Sequence, residues 1–107
     1  MSDKEWKVKN KVNILGTDYK IKVENKKDLE GSGNCDHNRK EITVIFENSI
    51  YLFKRTLRHE IIHAYQYESG LAQNFEHKPI GYDETQVDWF AIQSPKIFKT
   101  FKELDIL

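Results

Sequence analysis

Apolar and polar residues alternate over the first part of the chain. The apolar positions are Trp6, Val8, Val12, Ile14, Tyr19, Ile21 and Val23. A period of two is typical of strands with one buried face, so residues 6–24 are predicted to form a β-hairpin. Gly16-Thr17-Asp18 supplies residues that favour the turn. The polar segment 25–40, which is rich in asparagine, glycine and charge, is predicted to be a loop or long turn.

The periodicity changes in the middle of the chain. Residues 41–46 are β-branched and aromatic and are predicted to form a third strand. Residues 49–69 have apolar positions three and four apart, which predicts an amphipathic helix that ends at Gly70. A second helix is predicted at 83–93, and a short third helix at 96–103 after an N-cap at Ser94-Pro95. We therefore expect an α+β fold, with a three-stranded antiparallel-type sheet packed on the first helix.

Composition narrows the class of protein. The 107 residues are enough for one domain, 1–107, and Lys plus Arg balances Asp plus Glu at 17 each. A neutral chain gives no support for a nucleic-acid or membrane partner. The N-terminus lacks the apolar stretch of a signal peptide, and the single Cys35 cannot form an internal disulfide, so we expect a cytoplasmic protein.

The candidate functional residues lie in the segment His59-Glu60-Ile61-Ile62-His63, inside the first predicted helix. Residues four apart share a helix face, so one Zn²⁺ ion can bridge the two imidazoles. Glu60 is rotated about 100° from His59 around the helix, where it can reach a water on that metal instead of the metal itself. The spacing predicts two ligands, His59 and His63, and a general base, Glu60.

A catalytic zinc ion needs a third protein ligand. Glu84 is our first candidate, with Asp88 one turn later accepting a hydrogen bond from a ligand histidine, His59 in the first instance. Both lie on the predicted helix 83–93, whose apolar residues Val87, Phe90 and Ala91 should need a core. The alternative third ligand is His77, which follows His63 by 14 residues.

These residues carry a resemblance. His-Glu-x-x-His followed by Glu84-x-x-x-Asp88 resembles the gluzincin pattern, in which the histidine pair and distal glutamate bind zinc. Residues 57–64 and 87–91 also look like small zinc-peptidase-like proteins of Gram-positive phages and mobile elements, with further likeness at 33–36 and 40–42. The resemblance implies a minimal zincin core, in which the strand at 41–46 offers its edge to an extended peptide. With His77 as third ligand, the site would instead resemble the SprT-like His₃ arrangement.

The sequence thus predicts a zinc-dependent metallopeptidase that acts on a peptide or protein substrate. One alternative is a non-catalytic zinc-binding regulatory protein of a phage or mobile element, and another is a peptide-binding adaptor without metal. Cys35 is expected to be a small core residue, with roles as a metal ligand or redox-sensitive thiol left open. The tyrosines Tyr65, Tyr67 and Tyr82 are expected to pack, with an oxyanion contact from one of them left open.

Overall fold

The computed structural model describes residues 7–25, 33–46, 48–71 and 84–107, with side chains of the last segment from residue 86. These residues form an α+β fold, as predicted. The elements in chain order are β1 (Lys11–Ile14), β2 (Thr17–Glu24), β3 (Gly33–Asp36), β4 (Glu41–Ile45), α1 (Ile50–Glu68) and α2 (Glu84–Leu104).

The predicted hairpin is present as β1 and β2, paired antiparallel from Ile14↔Thr17 to Lys11↔Lys20. Its turn is Leu15-Gly16, one residue earlier than expected. Both turn residues have positive φ, 51° and 95°, as in the two-residue turns that match strand twist. Asn13 Oδ1 accepts the Gly16 amide at 3.0 Å, which helps to hold the turn.

The prediction of a three-stranded antiparallel-type sheet is wrong. The sheet has four strands in the order β1-β2-β4-β3 and is mixed, since β2 and β4 are parallel while the outer pairs are antiparallel. The minimal zincin core that we expected was drawn around three strands and is not matched. The additional strand is β3, in the segment predicted to be a loop. Cys35 is its one apolar residue, and strands at a sheet edge need little apolar surface.

Helix α1 forms as the sequence predicts. Ser49 is the N-cap, and its side chain accepts the Leu52 amide at 3.2 Å. At the other end Gly70 has φ 85°, and its amide bonds to the Tyr67 carbonyl at 3.0 Å. The buried face of α1 packs on β4, β3 and β1. It carries Phe53, Leu57, Glu60, Ile61, Ala64 and Tyr65.

The helices predicted at 83–93 and 96–103 are one continuous helix, α2, with Pro95 inside it. Packing explains why the predicted break does not form. Residues on both sides of Pro95 are held against the rest of the protein: Trp89 donates to Ser69 Oγ, and Thr100 Oγ1 lies 2.7 Å from Tyr65 Oη. Ile97, Phe101 and Leu104 are buried. Neither described helix is long and apolar enough to cross a membrane.

Candidate metal centre

The candidate site lies on the face of α1 that meets β3. His59 and His63 are exposed there, and Glu60 between them is 7% exposed. This difference follows from the helix itself, because Glu60 is turned about 100° from His59 towards the sheet. A cavity of about 400 Å³ lies here, and its described lining comes from α1, β3 and the turn after β3. It consists of Gly33, Asn34, Cys35, His37, His59, Glu60 and His63.

The two histidines present converging ring nitrogens. Their Nε2 atoms lie 3.1 Å apart, and the rings are inclined at 74°. Two nitrogens bound to one tetrahedral zinc ion at 2.0–2.1 Å would be separated by about 3.3 Å. The observed separation is close to that value, and the assignment of His59 and His63 as zinc ligands stays a prediction.

Glu60 is held under the edge strand. Burial raises its pKa above the usual value, while His59 and His63 act in the opposite direction. A carboxylate with a raised pKa is a stronger proton acceptor, which suits a general base. The close packing depends on Gly33, since a Cβ atom there would lie 3.2 Å from Glu60 Cγ and 2.9 Å from Thr43 O.

The part of the cavity wall that does not belong to α1 is built from β3 and the turn that follows it. His37 stacks on Tyr67 with ring centroids 4.2 Å apart, and its Nδ1 lies 3.7 Å from Cys35 Sγ. Burial, followed by the carboxylates of Glu60 and Asp36, raises the pKa of the Cys35 thiol to about 12. In the metal-free protein Cys35 is therefore protonated near neutral pH.

His63 has a second polar contact. Its Nδ1 lies 3.2 Å from Gln66 Oε1, on the side of the ring away from His59. Residues three apart on a helix are neighbours, so the contact lies within α1.

The predicted third ligands fall at the limit of what the structure describes. His77 lies outside the described residues, and so does the side chain of Glu84, although Glu84 is the first residue of α2. Among the described residues, no third imidazole, thiol or carboxylate joins the histidine pair to complete a metal-binding group. Residues 7–25, 33–46, 48–71 and 86–107 thus contribute the pair His59 and His63 alone, and the whole ligand set, with its third member, stays a prediction.

Glu84 and Asp88 were both expected on a helix whose apolar residues should need a core, and this expectation of a buried face is wrong. Val87 is 57% exposed and Phe90 46%, and Ala91 is also exposed. Asp88 itself is exposed and is not among the residues that line the described cavity. Helix α2 is anchored mainly by its second half, where Ile97, Phe101 and Leu104 are buried.

The tyrosines have different surroundings. Tyr65 is buried and its hydroxyl bonds to Thr100, so it packs α1 on α2 as expected. Tyr67 stacks on His37 at the cavity wall. Tyr82 lies outside the described residues.

Sequence reasoning missed His37 and Gln66 at this site. Gln66 could have been found, because it stands three residues after His63 on a helix that the sequence predicts. His37 had no such signal, since it reaches the cavity through the pairing of β3 with β4, which the sequence did not indicate.

Comparison of the chain with protein-family models, curated proteins and solved structures found no match.

Proposed function

We propose that this protein is a zinc-dependent metallopeptidase, with His59 and His63 as two zinc ligands, Glu84 as the third and Glu60 as general base. The observation that carries the proposal is the geometry around Glu60. Its buried carboxylate shares one cavity with two imidazoles whose Nε2 atoms are 3.1 Å apart. With Glu84 as third ligand, that arrangement would supply both a metal site and a base beside it.

The proposed reaction is amide hydrolysis. A zinc ion bound between the histidines would polarise the scissile carbonyl and lower the pKa of a bound water. Glu60 removes the proton from the attacking water and delivers it to the leaving amine nitrogen. The exposed positions of His59 and His63 leave room for a peptide to approach.

The peptide is proposed to approach along β3. We expected residues 41–46 to offer a strand edge, but this is wrong, because β4 lies between β2 and β3 with both of its edges paired. In the described part of the sheet, β3 is the outer strand beside the histidines. Gly33, Asn34 and Cys35 of that strand line the cavity. An extended substrate can add to this edge through main-chain hydrogen bonds.

The test begins with protein purified without added metal, and we expect about one zinc ion per chain. Hydrolysis is followed with unfolded, fluorescently labelled protein and mixed peptides. Glu60→Gln should keep the zinc and the melting temperature and lower the rate by roughly 10²–10⁴-fold. His63→Ala should lose the zinc.

The matched control is Glu103→Gln, an exposed glutamate of α2, which should leave the rate unchanged. A Glu60→Gln protein that hydrolyses peptides at the wild-type rate contradicts the proposal. If the wild type binds zinc but cleaves none of these substrates, the non-catalytic zinc protein is supported instead. A wild type without zinc supports the adaptor.

From the composition we also propose the partners and the location of the protein. The substrate is a peptide or protein, with neither nucleic acid nor membrane as a partner. The unpaired, half-buried Cys35 fits a cytoplasmic protein.

A further inference from the structure

His63 makes two polar contacts, one from each ring nitrogen. Nε2 points to His59 Nε2 at 3.1 Å, and Nδ1 points to Gln66 Oε1 at 3.2 Å. An amide oxygen can only accept a hydrogen bond. The contact with Gln66 therefore requires a proton on Nδ1 of His63.

That proton decides what the other nitrogen can do. A neutral imidazole carries one proton, so a His63 ring with Nδ1–H has an unshared electron pair on Nε2. Nε2 is the nitrogen that converges with His59, and a lone pair there is what a zinc ligand needs. The opposite tautomer would place a proton in the metal position.

His59 lacks an equivalent arrangement among the described residues. Within the described part of the chain its hydrogen-bond partner is His63, so without metal its Nε2–H donates to the free Nε2 of His63. Zinc binding then requires His59 to carry its proton on Nδ1. The two ligands thus differ, because His63 is prepared for metal and His59 must change tautomer.

We propose that Gln66 is a positioning residue that holds His63 in the Nδ1–H tautomer and thereby strengthens zinc binding. The inference rests on the proposed function, since it assumes that His59 and His63 bind zinc. Hydrogen bonds from a ligand histidine to an outer acceptor commonly contribute 10- to 100-fold to metal affinity.

The test compares two variants at Gln66. Gln66→Met removes the acceptor and keeps a similar length, whereas Gln66→Glu keeps an acceptor oxygen. Zinc affinity is measured by competition with a chelator, and the tautomer of His63 in the metal-free protein by ¹⁵N NMR of the ring nitrogens. We expect Gln66→Met to weaken zinc binding at least about tenfold and to lose the Nδ1–H signature. Gln66→Glu should bind zinc at least as tightly as wild type.

Arg55→Met provides the control, because Arg55 is exposed on the same helix and does not line the cavity. It should leave zinc affinity unchanged. Melting temperatures of all variants check that α1 is intact. The inference is overturned if Gln66→Met binds zinc as tightly as the wild type does. It is also overturned if NMR shows that His63 of the wild-type protein carries its proton on Nε2. In both cases the metal site stands. If the wild type binds no zinc, both the proposed function and the inference fail.

Discussion

Gly33 of β3 lies directly against Glu60 of α1, so that a Cβ atom on Gly33 would be 3.2 Å from Glu60 Cγ. The same atom would lie 2.9 Å from both Thr43 O and Thr56 Cγ2. Because Gly33 has no side chain, the edge strand β3 can pack closely against Glu60. Gly33 is required here for close approach of two elements.

Gly33→Ala is therefore expected to destabilise the protein and to disturb the site. The Thr43 carbonyl belongs to a central strand and cannot move away easily, so β3 must shift. Forcing a methyl group into such a place typically costs about 1–3 kcal/mol. The free energy of unfolding in urea measures this loss, and the hydrolysis rate should fall with it because Glu60 is displaced.

Asn34→Ala on the same strand is the matched control, since Asn34 is exposed. It should change the free energy of unfolding by less than about 0.5 kcal/mol. If Gly33→Ala is as stable as this control, β3 does not pack on Glu60 in the way described.

Glu68 joins the end of α1 to the sheet. Its carboxylate accepts hydrogen bonds from Tyr19 at 2.6 Å, Lys40 at 2.7 Å and Thr17 at 3.1 Å. Burial by itself raises the pKa of Glu68, but the hydrogen bonds from Lys40, Tyr19 and Thr17 outweigh it and hold the pKa below its usual value. The folded state therefore favours the charged form.

Because the pKa of Glu68 is lower in the folded state, the charged carboxylate stabilises the fold above about pH 4.5. This contribution is lost as the pH falls through the folded-state value. Glu68→Gln should lower the free energy of unfolding by about 1–3 kcal/mol at pH 7. The gap between wild type and variant should shrink in urea titrations at successively lower pH.

Glu103→Gln, an exposed site, should show no such pH-dependent gap. A gap for Glu68→Gln that stays constant from pH 7 to pH 3 contradicts the assigned hydrogen bonds.

The sequence predicted α1 and the hairpin because their signals are local. Ser49 and Gly70 mark the ends of α1, and each end group bonds within four residues. The same locality explains why His59, Glu60 and His63 could be placed together, since a helix fixes the relation of residues four apart.

The parts that the sequence did not predict depend on distant contacts. Strand β3 forms through its register with β4, for example Cys35↔Ile42, and its polar residues carry no periodic pattern. Helix α2 continues through Pro95 because its flanking residues contact α1. Tertiary contacts outweighed local propensity in both places.

The third ligand gives a prediction that follows from the sequence alone. If Glu84 completes the site, Glu84→Ala should release zinc, and His77→Ala should keep it at wild-type affinity. Zinc content after dialysis against a chelator measures both. The reverse result would identify the His₃ arrangement and remove Glu84 from the proposed ligand set.

A substitution at Pro95 tests whether α2 is continuous, as in the structure, or ends before Pro95, as the sequence predicts. Proline has no amide hydrogen, so the carbonyl of Ala91 lacks its usual partner in α2. Pro95 is exposed, and alanine would fit there without a clash. Pro95→Ala should raise the free energy of unfolding by about 1–3 kcal/mol, since the helical gain exceeds the added entropy of the unfolded chain. Lys99→Ala, also exposed in α2, should change it little. If Pro95→Ala destabilises the protein in urea, the helix breaks at Ser94-Pro95 as the sequence indicated.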